Sequence, residues 1–149
     1  MQAGRRLLLK GGAVLALLVA LPKALLAAAW PQKAFLSTDG GQALSALLGT
    51  EETIRSDEIT LKLPEIAENG AVVRVTVGTS LENVESISIL VEKNPRPLAA
   101  TFEMMPGVFP NISTRIKMAE TSRVMAVVKT DSGIYSTSKD VKVTLGGCA

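Results

Sequence analysis

The segment Val73-Arg74-Val75-Thr76-Val77 alternates apolar and polar residues along its whole length. Successive side chains of a β-strand point to opposite faces, so this alternation predicts a strand with one buried and one solvated face. Turn-forming residues bound the segment on both sides, at Glu68-Asn69-Gly70 and at Gly78-Thr79-Ser80. A short alternating run between two turns favours a strand over a helix, and the fold is therefore expected to be built from strands.

The same alternation recurs on both sides of this segment, from Glu58 to the end of the chain. Six further runs share it: Ile59–Leu63, Ile87–Val91, Leu98–Met104, Ile112–Met118, Val124–Val128 and Val141–Leu145. An additional strand over Gly133–Thr137 stays open. Many short strands that each carry one apolar face predict an all-β fold, an immunoglobulin-like antiparallel β-sandwich over residues 58–145. The single Cys excludes the disulfide-linked versions of that fold.

A different periodicity precedes the strands, in the segment 30–57. Within Gly40–Leu48 the apolar residues recur at helical spacing, at Ala43, Leu44, Leu47 and Leu48. Asp39 or Thr38 can cap the start of this helix, and Gly49 can end it. We expect one short amphipathic helix, whose apolar stripe packs either on the β-domain or on a partner.

Residues 1–29 are typical of an export signal. Arg5 and Arg6 precede the uncharged Gly11–Leu21, and Ala27–Ala29 offers small residues for cleavage. The stretch Gly4–Lys10 is similar to a twin-arginine signal, although Gly4 and Leu8 depart from its usual form. An ordinary Sec signal is the alternative. Either route predicts a mature chain that begins at Trp30 in the bacterial periplasm and keeps no membrane segment.

Composition excludes many functions. The chain has no His and one Cys, which excludes His-dependent general bases, Ser-His-Asp and Cys-His constellations and Cys/His zinc sites. Four of the 16 basic residues lie in 1–29 and all 14 acidic residues lie beyond it, so residues 30–149 carry a net charge of −2. No nucleic-acid partner, catalytic site, metal or cofactor is predicted.

The only thiol, Cys148, follows a diglycine at the end of the last predicted strand. Gly146 and Gly147 admit nearly all backbone conformations, so residues 146–149, which end in Ala149, are predicted to form a flexible arm. The tail holds no Lys, Arg or His that could stabilise a thiolate, and activation is expected from a partner's active site. This arrangement is typical of a substrate carrier. In the alternative, the tail is only a spacer of an immunoglobulin-like interaction subunit.

Two other features have open interpretations. Asn94-Pro95-Arg96-Pro97 is either a structural turn between strands or a recognition loop. Arg115 and Lys117 lie on one face of a predicted strand, where they are either ordinary solvated charges or groups that steer anionic partners.

Five motifs, in order and spacing, resemble the SoxY family, the sulfur-carrier subunits of the periplasmic thiosulfate-oxidising Sox system. They are Glu68–Val73 with Val75, then Ile89–Pro97, Phe102, Ser113–Ala119 and Val141–Cys148. This chain ends Gly-Gly-Cys-Ala, whereas family members commonly end Gly-Gly-Cys-Gly-Gly. The resemblance covers the mature chain.

The resemblance implies a mechanism and a set of partners. The haem enzyme SoxXA would join thiosulfate oxidatively to Cys148, SoxB would remove the terminal sulfone as sulfate, and SoxCD-like enzymes would oxidise the remaining sulfane sulfur. The carried thiosulfate, sulfane or sulfonate species would be covalent conjugates of Cys148. A SoxZ-like subunit would form the heterodimer that is exported in folded form.

Overall fold

The computed structural model describes residues 30–147. Two helices, α1 Gln32–Leu36 and α2 Gly40–Leu48, precede the strands. The strands are β1 Ile54–Arg55, β2 Ile59–Lys62, β3 Ile66–Ala67, β4 Val73–Thr79, β5 Val84–Val91, β6 Leu98–Glu103, β7 Asn111–Ile116, β8 Ser122–Thr130 and β9 Ile134–Val143.

The strands form two sheets. The larger has the order β1-β9-β8-β5-β6, with β3 also pairing with β9, and the smaller has the order β2-β4-β7. The long neighbours pair antiparallel, whereas the two-residue strands β1 and β3 run parallel to β9. The predicted immunoglobulin-like antiparallel β-sandwich with a short N-terminal helix is confirmed.

The core lies between the sheets and is almost wholly aliphatic. Alternate residues of β4 are buried, and their neighbours Arg74, Thr76 and Gly78 lie on the outer face of the small sheet. The buried side chains between the sheets include Ile59, Leu61, Val73, Val75, Val77, Ile87, Ile89, Val91, Ile116, Met118, Val124, Val128 and Val141. Burial of each Val, Leu or Ile stabilises the fold by roughly 1.5 to 3 kcal/mol, so a sandwich of this size needs no disulfide.

Helix α2 begins and ends where the sequence predicts. The side chain of Asp39 accepts a hydrogen bond from the Gln42 N–H at 2.9 Å, and Gly49 ends the helix in the left-handed region, at φ 80°. Ala43 and Leu44 pack in a second apolar cluster with Leu90, Leu98 and Val127 of the large sheet, together with Ala34 of α1. The apolar stripe therefore docks on the outer face of the β-domain.

Three features of the fold differ from the sequence prediction. Helix α1 was not predicted, because five residues with one buried side chain, Ala34, show no helical periodicity. The strands β1 and β3 were not predicted either, because two residues are too few to show an alternating pattern. The runs Gly133–Thr137 and Val141–Leu145 belong to one strand, β9, which ends at Val143 and leaves Leu145 exposed.

No helix in the described part of the chain is long and apolar enough to span a membrane.

Candidate functional site: the notch that holds the diglycine

Backbone hydrogen bonds hold the chain that follows β9. The Thr144 N–H donates to the carbonyl oxygen of Ala67 at 3.1 Å, which continues the pairing of β9 with β3. The carbonyl oxygen of Leu145 then accepts from the Gly70 N–H at 2.8 Å, and the Gly147 N–H donates to the carbonyl oxygen of Met118 at 2.9 Å. The segment 144–147 therefore lies against the body of the domain.

The diglycine occupies a narrow cleft between Gly70-Ala71 and Met118-Ala119, which we call the notch. A Cβ atom on Gly147 would lie 2.6 Å from the Cα atom of Ala71, and one on Gly146 would overlap the carbonyl oxygen of Ala119. A Cβ atom on Gly70 would overlap the carbonyl oxygen of Met118. In each of these approaches one of the two residues is a glycine, and a Cβ atom on it would have no room, so the notch itself requires glycine at these positions.

Local hydrogen bonds fix one wall of the notch. The Asn69 side chain accepts from the Ala71 N–H at 2.9 Å and shapes the turn that contains Gly70. The Met118 N–H donates to the carbonyl oxygen of Gly70 at 2.7 Å, which ties this turn to the segment after β7.

Asn94 fixes the other wall. Its side chain is 8% exposed; Nδ2 donates to the carbonyl oxygen of Lys117 at 2.8 Å, and Oδ1 accepts from the Ala119 N–H at 2.9 Å. These two bonds bracket Met118 and hold its carbonyl oxygen toward Gly147. The loop Asn94–Pro97 thus has a structural role, which was one of its two sequence interpretations.

The charged groups beside the notch are exposed. Lys117 points to the outer face of the small sheet, because its neighbours Ile116 and Met118 are buried. Lys93 and Glu120 form an ion pair at 3.7 Å, with both side chains more than half exposed. Within residues 30–147, no three Asp, Glu or Cys side chains are grouped as metal ligands.

The sequence-predicted site residues divide into two groups. Gly146 and Gly147 lie in the notch, whereas Cys148 and Ala149 lie outside the described residues. The motion of the arm stays a prediction. Gly70, Asn94 and Met118 were not predicted to belong to the site. The Asn-Gly dipeptide at 69–70 signalled only a turn, and no local pattern shows that this turn meets the C-terminal segment.

Comparison with known proteins identifies the family. The family model described as sulfur oxidation protein SoxY matches residues 44–148. A solved structure of the sulfur carrier protein SoxY from Chlorobium limicola f thiosulfatophilum is 40% identical, with a TM-score of 0.63; the match covers 69% of this chain and 94% of that one.

A more distant likeness concerns the fold alone. Superoxide reductase (neelaredoxin) from Ignicoccus hospitalis is 15% identical, with a TM-score of 0.55, over 61% of this chain and 94% of that one. No curated protein matches the chain in sequence. Because the SoxY model spans most of the chain and includes the notch, the diglycine and Cys148, the chain belongs to the SoxY family of sulfur oxidation proteins.

Proposed function

We propose that this protein is a covalent sulfur carrier that binds intermediates of thiosulfate oxidation on Cys148 and presents them to partner enzymes. Membership of the SoxY family and the likeness to a sulfur carrier protein support the carrier role. The observation that carries the residue assignment is the position of the only thiol, one residue beyond a diglycine that the domain seats in a dedicated notch.

The proposed loading step is an oxidation that a partner must complete. The Cys148 thiolate and the sulfane sulfur of thiosulfate form one S–S bond, and two electrons pass to a haem enzyme of the SoxXA type. In the next step a SoxB-type hydrolase adds water across the bond between the sulfane and sulfone sulfurs. Sulfate and two protons leave, and a persulfide stays on the carrier, where a SoxCD-type enzyme oxidises it.

The carrier itself supplies a nucleophilic sulfur and a thin chain end, and it has no catalytic role of its own in this proposal. A glycine tether lets the thiol reach into an enzyme channel without bulky neighbours, and positioning of this kind accounts for much of the advantage of a tethered substrate. The partner enzymes provide the acids, bases and electron acceptors.

The structure offers a surface for the stable partner, a SoxZ-like subunit. The loop between β6 and β7 exposes Met105, Val108 and Phe109, whose exposed fractions are 70%, 55% and 74%. Large apolar side chains exposed together are typical of protein interfaces. We assign this loop to the heterodimer.

The proposed location is the periplasm, after export by the twin-arginine pathway. Cleavage after Ala29 would leave Trp30 as the first residue. Mass spectrometry of the periplasmic protein should find this N-terminus, and replacement of Arg5 and Arg6 by Lys should keep the precursor in the cytoplasm. A precursor that is still exported in the Lys variant would favour the Sec route.

Intact-mass analysis tests the carrier function directly. Protein incubated with thiosulfate and its partner enzymes should gain a thiosulfonate group that a dithiol reductant removes, and peptide mapping should place it on Cys148. Cys148→Ser should gain nothing and should support no thiosulfate oxidation in the reconstituted system.

A variant that lacks residues 146–149 separates the two candidate functions. The carrier requires that this variant be inactive while it still assembles with its partner. Full activity of the truncated protein, or of Cys148→Ser, would favour an interaction subunit whose tail is a spacer.

A further inference from the structure

A cationic groove runs along the open side of the sandwich, between β6 and β7, the edge strands of the two sheets. It has a volume of about 580 Å³, and its lining includes Arg96, Ala99, Arg115 and Lys117. In the part of the chain that the structure describes, none of its lining residues is acidic. A second depression, of about 400 Å³, continues past Arg115 to Arg74.

Within residues 30–147, no acidic side chain forms an ion pair with the four cations of these two depressions, Arg74, Arg96, Arg115 and Lys117. The ion pairs found there join Lys93 to Glu120, Arg123 to Asp140 and Lys129 to Glu85. The mature chain carries more acidic than basic residues. A cluster of unpaired cations in such a chain is a local concentration of charge that average composition does not explain.

The register of the small sheet makes this arrangement costly. Arg74 of β4 lies directly opposite Arg115 of β7, and both side chains are exposed on the outer face. Like charges directly opposite in an antiparallel pair destabilise a sheet. A bound anion would reverse this effect, because an arginine fork donates two parallel hydrogen bonds to an oxyanion.

The groove adjoins the notch through shared residues. Asn94 lines the groove, and its side chain binds the backbone of Lys117 and Ala119 on either side of Met118. The carbonyl oxygen of Met118 in turn holds Gly147. Cys148 is one residue further along the chain, and consecutive Cα atoms are about 3.8 Å apart. The chain between Met118 and the thiol is therefore short enough for a group on the thiol to reach Lys117.

We propose that the groove is an anion site that binds the oxyanion end of the group carried on Cys148, so that the loaded arm is held against the body of the carrier. This inference rests on the proposed function. A thiosulfonate conjugate ends in a negatively charged group with three terminal oxygens, which suits Arg96, Arg115 and Lys117. The persulfide left after hydrolysis has no such group, so removal of the sulfone releases the arm from the groove.

Two artificial adducts of the full mature chain test the proposal without any partner enzyme. Sulfonatoethyl methanethiosulfonate transfers a sulfonatoethylthio group to the Cys148 thiolate and releases methanesulfinate, and the hydroxyethyl reagent gives a neutral adduct of similar length. Amide hydrogen exchange at Gly147 reports how tightly the arm is held. The anionic adduct should slow this exchange at least about fivefold relative to the neutral one, because charge-assisted hydrogen bonds anchor the arm.

Groove variants and salt provide the controls. Arg115→Gln combined with Lys117→Gln should remove the difference between the adducts, as should high salt, which screens the exposed charges. Lys139→Gln, which removes an exposed cation of β9 outside the groove, should leave the difference intact. Equal exchange rates for the two adducts in the unaltered protein would overturn the proposal.

Sulfate added to Cys148→Ser distinguishes a free anion from a tethered one. Chemical-shift changes at Arg115 and Lys117 would show that the site also admits soluble oxyanions, whereas their absence, with adduct-dependent protection retained, would assign the site to the tethered group alone. Both results support the site. If the groove variants instead weaken binding of the SoxZ-like subunit and leave the adduct difference unchanged, the groove is a protein interface and the proposal fails.

Failure of the anion site can be distinguished from failure of the carrier function. Failure of the anion site leaves the loading of Cys148 by thiosulfate intact, and failure of loading is detected by intact mass without reference to the groove.

Discussion

The amide nitrogen of Gly147 lies 2.9 Å from the carbonyl oxygen of Met118, a residue 29 positions earlier in the chain. Met118 is fully buried in the core between the sheets, so this one bond joins the start of the arm to the core of the domain. Together with the bond from the Gly70 N–H to Leu145, it gives the arm a defined resting place. The predicted motion of the arm would then be an equilibrium between seated and released states, which substitutions in the notch should shift.

Gly70→Ala should disturb both the fold and the seat of the arm. Gly70 is outside the left-handed region, so alanine fits its backbone conformation. The new methyl group would overlap the carbonyl oxygen of Met118, which is backbone and cannot rotate away. We expect a loss of about 1 to 3 kcal/mol in the free energy of unfolding, measured in urea, and faster amide exchange at Gly147.

Gly78→Ala is the matched control for this substitution. A Cβ atom there would meet its nearest neighbour, Nδ2 of Asn111, at 3.5 Å, which is ordinary contact. Its effect should stay within about 0.5 kcal/mol. If Gly70→Ala proved as stable as Gly78→Ala and kept Gly147 protected, the notch would not need glycine.

Asn94→Ala should destabilise the segment that holds the arm. The substitution leaves the carbonyl oxygen of Lys117 and the N–H of Ala119 without their partner at a site that is 8% exposed. Buried polar groups without hydrogen bonds cost roughly 1 to 3 kcal/mol, and urea unfolding should show a loss of about that size.

Asn94→Asp tests whether the donor matters separately. The carboxylate can still accept from Ala119 but cannot donate to Lys117. Its stability at neutral pH should therefore lie at or below that of the unaltered protein. An alanine variant within about 0.5 kcal/mol of the unaltered protein would show that the two bonds add nothing net.

The fold was predictable where local chemistry decides it. Alternation located seven strands because each has one face against an aliphatic core, and helix α2 was located by its capping Asp39 and by Gly49. Strand β9 was divided because its middle, Ser136–Asp140, has no buried face. It is held instead by its backbone ladder with β8, which leaves no periodic signal in the sequence.

The candidate site was predictable only at the thiol that is proposed to carry sulfur. A lone Cys after a diglycine is a local motif, and the sequence shows it directly. The notch depends on three glycines and Met118, brought together from distant parts of the chain, and no short-range pattern encodes that contact. The groove depends likewise on the pairing of β4 with β7, which sets Arg74 opposite Arg115.

Phe109→Ser should weaken the proposed heterodimer and leave the isolated domain stable. Its side chain is 74% exposed, so its removal costs the free chain little. Aromatic side chains at the centre of an interface often contribute more than about 2 kcal/mol to binding. We therefore expect the dissociation constant for the SoxZ-like subunit to increase at least about tenfold. Ile54→Ser, which alters an exposed apolar residue of β1, is the control. Equal weakening by both variants would argue against a specific role for the β6–β7 loop.

The ion pair between Lys129 and Glu85 should make stability depend on alkaline pH. Its atoms Nζ and Oε2 are 2.6 Å apart, where a bulge in β5 sets Glu85 beside Lys129 of β8. The hydrogen bond that Lys129 donates to Glu85, together with the negative charge of Glu85, raises the pKa of Lys129 above 10.5. A raised pKa in the folded state means that the pair stabilises the protein fully below the unfolded pKa, and that this contribution is lost as pH rises through the folded value. Because the side chains are 41% and 47% exposed, we expect the ion pair to add no more than about 1 kcal/mol to the free energy of unfolding.

The difference in unfolding free energy between the unaltered protein and Glu85→Gln should therefore be constant near neutral pH and shrink as the pH rises above 10.5. Glu82→Gln, an exposed neighbour without an ion pair within residues 30–147, should show no such difference. A gap for Glu85→Gln that persists undiminished at the highest pH would mean that Glu85 acts through packing or strand geometry and not through the charge of Lys129.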